Sequence, residues 1–167
     1  DDDTSGLNIL RVASVKKIPS AFPGDNSACV SKTVSDDNSS EGVSNRVRSW
    51  ENWIYRIRVN VPPETEAGNK YDYFAITDSL NEGLGIEEIK LFCDGSDAGS
   101  KFRITENGNR LTAAAVDTGS SDFYGHEYCP EIKVSMKLSR DAALDSGLLG
   151  ENYELTVKNR AAAEYED

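Results

Sequence analysis

Along most of this chain, apolar and polar residues alternate in short runs rather than recurring at helical spacing. The clearest run is Trp50 to Val61 (WENWIYRIRVNV). Trp53, Tyr55, Ile57, Val59 and Val61 share one parity, and Arg56, Arg58 and Asn60 share the other. Successive side chains of a strand point to opposite faces, so this run predicts a half-buried strand with an aromatic core face and a basic solvent face. Pro62-Pro63 ends it. Ala28 to Ser35 alternates in the same way, with Val30, Lys32 and Val34 in phase. Tyr73 to Leu80 has Phe74, Ile76, Asp78 and Leu80 in phase. The last such run, Asn152 to Ala163, places Tyr153, Leu155, Val157, Asn159 and Ala161 together.

Between these lie further strand-like runs. Ile86 to Cys93 keeps Ile89, Leu91 and Cys93 in one phase, and Tyr128 to Leu138 keeps Ile132, Val134, Met136 and Leu138. Lys101 to Thr105 and Arg110 to Val116 flank Asn107-Gly108, a strong hairpin signal. Ser35 to Asn45 and Thr118 to His126 are expected to be loops, and the connector 139–150 permits a short helix. Asn8 to Lys17 fits a short strand or a helix before Pro19 and Pro23-Gly24. Eight to ten short strands separated by turn residues, with no sustained helical period, predict an all-β sandwich. Residues 1–28 read as a lead-in segment and 29–167 as the domain.

Composition narrows the partners. Eighteen basic residues against 29 acidic ones give a formal net charge of -11. That balance argues against a nucleic-acid backbone or an anionic membrane surface as partner. The arginines of Trp50–Val61 do not reverse this, because they stand on the face opposite the aromatics. No apolar run approaches the length of a membrane span. The chain opens Asp1-Asp2-Asp3, unlike a secretory leader, and is expected to be a mature or excised piece of something longer. No cofactor is expected. The acids of Ser35–Asn45 lack the glycine and glutamate spacing of a calcium-binding EF-hand loop. The spacing of Cys29, Cys93 and Cys129 matches no zinc pattern, and His126 is the single histidine, so no metal is expected.

Three strands each break an apolar phase with one polar residue: Lys32, Asp78 and Asn159. A buried ammonium is disfavoured, so its pKa should fall and expose a nucleophilic amine. A carboxamide is a weak electrophile. A buried carboxylic acid can donate to the amide oxygen and relay protons to the departing ammonia. Brought together, the three groups would form a Lys–Asn amide once per molecule, with proximity supplying the rate. Each residue also has a plainer reading. Lys32 can snorkel to an edge, Asp78 can cap the turn that follows, and Asn159 can sit at a strand end. Lys16 and Lys17 are alternative lysines in less regular alternation.

Residues from about 29 to 167 resemble the isopeptide-forming domains of Gram-positive fimbrial shaft proteins and cell-wall adhesins. The resemblance rests on Ser31-Lys32-Thr33-Val34, Trp53-Ile54-Tyr55-Arg56-Ile57, Ile76-Thr77-Asp78-Ser79-Leu80 with Glu82-Gly83-Leu84, Ser100-Lys101-Phe102-Arg103-Ile104, Asp122-Phe123-Tyr124-Gly125-His126-Glu127-Tyr128, and Val157-Lys158-Asn159-Arg160-Ala161. It implies an immunoglobulin-like sandwich on a bacterial cell surface, with Lys32 as amine donor, Asn159 as amide partner and Asp78 as catalytic acid. The implied role is structural, as a stalk or adhesin domain beside neighbouring domains of the same surface protein. The cysteines are not part of that family pattern, and no sortase signal or pilin-type lysine motif is seen.

Two other roles compete. A ligand-binding adhesin domain would recognise a host glycan or protein through the loops Ser35–Asn45 and Thr118–His126; exposed Phe123 and Tyr124 would favour this, and burial of both would weaken it. A turnover enzyme is not expected, given one histidine, no Gly-x-Ser-x-Gly and no phosphate loop. Glu87-Glu88 are adjacent and point to opposite faces of a strand, so they do not read as an acid/base pair. For the cysteines, Cys93–Cys129 is the candidate disulfide and Cys29–Cys129 the alternative, with buried free thiols the simplest outcome.

Overall fold

The computed structural model describes residues 9–14, 30–36, 41–42, 44–48, 52–64, 70–146 and 155–166. Of 9–14, 44–48 and 155–160 only the backbone is described. Lys16, Lys17 and Cys29 lie outside the described residues.

Alternation translates directly into strands. In order they are β1 (Ile9–Ser14), β2 (Val30–Asp36), β3 (Ser44–Arg48), β4 (Trp53–Asn60), β5 (Tyr73–Ser79), β6 (Leu84–Cys93), β7 (Ser96–Asp97), β8 (Phe102–Asn107), β9 (Arg110–Ala115), β10 (Glu127–Met136) and β11 (Leu155–Glu166). One short helix, α1 (Arg140–Asp145), occupies the connector that permits one. The strands form two sheets, ordered β3-β1-β11-β5-β9-β8 and β2-β4-β10-β6-β7. Among the described residues, all pairings are antiparallel except β1 with β11, which is parallel. The molecule is an all-β, immunoglobulin-like sandwich.

The core fills the space between the sheets. Trp53, Tyr55, Ile57 and Val59 of β4 are fully buried, and the arginines between them are half-buried on the outer face. Phe74 and Ile76 of β5, Leu111 of β9, and Tyr128, Ile132 and Val134 of β10 meet them. Phe123 adds an edge-on ring contact with Phe74 and a stacked one with Tyr128. Outside, Arg56 bonds to Glu131 at 3.0 Å, and Arg58 pairs with Glu41. Such outer-face pairs add about 0–1 kcal/mol each; burial of the aromatics does far more.

Three elements depart from expectation. Residues 9–14, read as part of a lead-in segment, form a strand inside the six-stranded sheet, between β3 and β11. Residues 44–48, at the end of a predicted loop, form β3 against β1. Gly42, in the same predicted loop, is bridged to Val34 by two backbone hydrogen bonds of 2.8 and 3.0 Å. On β5, burial runs unbroken from Phe74 to Asp78. An inner strand between β11 and β9 carrying Ala75 and Thr77 outward is covered on both faces.

Candidate functional site

β2 belongs to the five-stranded sheet and β5 to the six-stranded one. Lys32 sits opposite Ile57 of β4, between Val30 and Val34, which are both buried. Its parity therefore aims it into the sandwich. Asp78 lies between Ala161 of β11 and Leu111 of β9, again in the inward phase. The two side chains meet across the core: Lys32 Nζ is 2.7 Å from both Asp78 Oδ1 and Oδ2. Lys32 is 3% exposed and Asp78 1%. Neither snorkels to an edge, and Asp78 does not serve the following turn in place of this contact.

The surroundings set the electrostatics. Burial pushes the Lys32 ammonium down to about 8, and the Asp78 charge and hydrogen bond hold it from falling further. The Tyr55 ring lies 4.3 Å from Nζ, its face offered to the cation. Trp53 meets that ring edge-on at 6.3 Å. Burial raises the Tyr55 hydroxyl pKa, with the Asp78 charge adding to it. The site is thus a buried contact between an amine and a carboxyl group, walled on one side by the Tyr55 ring.

Asn159 stands in β11, opposite Ser14 of β1. It lies two residues before Ala161, the register partner of Asp78. Strand periodicity gives those two β11 positions the same parity. The Asn159 side chain lies outside the described residues. The three positions belong to β2, β5 and β11, so a tie between Lys32 and Asn159 would cross from one sheet to the other. It would join β2 to the last strand, β11, with β1 lying before the tie in the chain.

The other candidates separate. Cys93 and Cys129 are free thiols, and the expected bridge between them is corrected by the register. Cys93 is paired with Tyr128 on β10, and Cys129 is the next residue, so their side chains leave opposite faces of the sheet. Burial raises the pKa of both thiols, that of Cys129 to about 11. Phe123 and Tyr124 are buried, which removes them from the surface that a loop-borne ligand would use. The Tyr124 hydroxyl accepts from Tyr71 N at 2.7 Å and donates to the Thr118 carbonyl at 3.0 Å. The Tyr128 hydroxyl donates to the Phe123 carbonyl at 2.9 Å. These bonds bind the loop inward. Glu87 and Glu88 are exposed, and Glu87 is engaged with Ser135 and Lys137.

Sequence reasoning missed a second cluster. Cys93, Asp94 and His126 place one potential ligand atom each within 4.8 Å of one another. The signal was spread over a strand end, a turn and the residue before a strand, with no motif spacing to find it by.

No family model matches the chain, and no curated protein matches it. Solved structures do. The full-length major pilin SpaD from Corynebacterium diphtheriae superposes with a TM-score of 0.57 at 19% identity, covering 81% of this chain and 29% of that one. The N-terminal domain of the Streptococcus gordonii adhesin Sgo0707 gives 0.59 at 11% identity, covering 81% and 29%. The C-terminal domain of the Streptococcus agalactiae AgI/II polypeptide BspA gives 0.54 at 15% identity, covering 67% and 42%. This chain therefore spans under a third of the length of the first two. At such identities the likeness establishes the fold, which is the one used by these Gram-positive pilins and adhesin domains. The resemblance read from the sequence holds at that level. Among the described residues, no helix is long and apolar enough to cross a membrane.

Proposed function

We propose that this chain is a structural domain of a bacterial surface protein, part of a stalk or an adhesin, welded by an amide between Lys32 and Asn159 with Asp78 as the acid. The observation that carries this reading is the buried Lys32–Asp78 pair, with both carboxylate oxygens 2.7 Å from the amine. As a stabilising device the pair is a poor choice. Well-packed apolar residues in place of a buried ion pair are often neutral or better by about 1–4 kcal/mol. Its placement makes sense as chemistry.

The step balances as follows. The shared proton moves from Lys32 Nζ to Asp78, leaving a neutral amine beside a neutral acid. The amine attacks the Asn159 carboxamide carbon while Asp78 donates to the carboxamide oxygen. The C–N bond to the amide nitrogen then breaks. Asp78 passes the proton lost by Lys32 to that nitrogen, which leaves as ammonia. One amide is consumed and one is formed, with no oxidant, metal or cofactor. The reaction runs once per molecule, so the protein is its own substrate and not a turnover enzyme. The bond closes a loop of more than 100 residues, worth about 5 kcal/mol in the chain-entropy picture.

The setting that follows is extracellular, on the cell wall, with neighbouring domains of the same protein as partners. Tension along such a chain would pass from β2 to β11 through the covalent tie. Pulling the chain from its two ends in a force spectrometer tests the role. The segment between Lys32 and Asn159, about 45 nm when extended at ~3.6 Å per residue, should never be released. Wild-type protein that yields that extra length would reject the reading.

A further inference from the structure

A second site lies at one end of the five-stranded sheet, away from Lys32. Asp94 and Gly95 connect β6 to β7, both with positive φ, 47° and 82°. Two left-handed residues in a row make the tight primed turn that joins twisted strands, with Cys93 and Ser96 paired at its base. The turn is fixed to the start of β10. Asp94 N donates to the Glu127 carbonyl at 2.9 Å, and Glu127 N donates to Asp94 Oδ1 at 2.8 Å. The other oxygen, Asp94 Oδ2, is 2.5 Å from His126 Nδ1. The His126 carbonyl is held in turn by Val61 N at 2.9 Å. Cys93 Sγ completes a group whose three ligand atoms all lie within 4.8 Å of one another. One sulfur, one imidazole nitrogen and one carboxylate oxygen therefore converge from two anchored segments.

We propose that Cys93, Asp94 and His126 bind a divalent transition metal of the zinc class, with water in the fourth position. Tetrahedral zinc sits about 2.3 Å from sulfur and about 2.0–2.2 Å from nitrogen and oxygen, so its ligand atoms are roughly 3.3–3.8 Å apart. Side-chain rotation that opens the Asp94–His126 contact and sets the sulfur, already within 4.8 Å of both partners, against the ion brings the three atoms to that spacing. The donor set is too soft for calcium or magnesium, and a thiolate with an imidazole favours zinc. Metal uptake displaces the Cys93 thiol proton to solvent, leaving a thiolate ligand. Uptake should therefore strengthen as pH rises. A bound ion would tie the β6–β7 turn to β10 and close that end of the sheet.

The test uses the whole chain in chelator-stripped buffer, titrated with Co(II) and then with Zn(II). One equivalent of Co(II) should produce a thiolate-to-cobalt charge-transfer band, and Zn(II) should remove it. Cys93→Ser should abolish the band, His126→Ala should weaken Co(II) binding at least tenfold, and Cys129→Ser should leave both unchanged. On wild-type protein, saturating Zn(II) should slow alkylation of Cys93 at least tenfold and leave that of Cys129 alone, as read by peptide mass. No band in the wild type, a band surviving in Cys93→Ser, or equal alkylation with and without Zn(II) would each overturn the proposal.

Discussion

Replacing Asp78 with alanine isolates the energetics of the site. In the folded protein two influences hold the Lys32 ammonium up, the Asp78 charge and its hydrogen bond, against a larger one, burial, that pushes it down. Removing the carboxyl group leaves only burial, so the pKa must fall below its present value of about 8. It also removes the acid that the proposed cross-link requires, so Lys32 should stay free and titratable. At pH 7 the variant can fold only by losing the lysine proton or by burying an unpaired charge. Losing it from a group whose ordinary value is 10.5 costs about 5 kcal/mol at pH 7, at 1.36 kcal/mol per unit. That figure caps the penalty.

The sign follows from linkage. The unfolded chain binds the proton and the folded one does not, so stability rises with pH until the unfolded lysine titrates. Between pH 8 and 9.5 the recovery is about 2 kcal/mol. The reference is Asp78→Ala combined with Lys32→Met, which keeps every other titrating group and lacks the amine. In urea unfolding, with a slope of about 1–3 kcal/mol per molar, the midpoint of the single variant should gain at least about 0.7 M on that of the double variant over this range. A constant difference between the two would refute the buried, uncompensated amine.

Two further outcomes follow from the same geometry. Asn159→Ala keeps the Lys32–Asp78 pair and removes the amide partner, so the loss is that of the cross-link alone. About 5 kcal/mol at ~2.1 cal/mol/K per residue lowers the melting temperature by about 10–15 °C, checked by calorimetry. Tyr124→Phe strips the acceptor from a buried Tyr71 N–H and the donor from the Thr118 carbonyl. It should cost about 1–3 kcal/mol by chemical denaturation without altering the intact mass beyond the substitution.

Parity made the site legible. Lys32 and Asp78 could be paired in advance because each is one polar residue within an apolar phase, and a strand has only two faces. β4 was legible for the same reason, with its aromatics inside and arginines outside. Register was not legible. Nothing in Ile9–Ser14 distinguishes a strand from a helix, and its parallel partner β11 is more than 140 positions away. Ser44–Arg48 lacks alternation and continues a polar loop, so its pairing with β1 left no local mark. The cysteine bridge failed on register too: both residues flank the same pair of strands, but Cys93 faces Tyr128 while Cys129 turns away from it. The burial of Phe123 and Tyr124 goes with hydroxyl bonds to the backbone of Tyr71, Thr118 and Phe123, which no periodicity encodes.

The most direct measurement is the intact mass of the folded wild-type chain against the mass of its sequence. The account predicts a deficit of one ammonia, about 17 Da, in the wild type and none in Asp78→Ala, with Lys32 and Asn159 recovered in one branched peptide. A wild-type mass equal to that of the sequence would contradict the cross-link and leave the Lys32–Asp78 contact as a buried ion pair and nothing more.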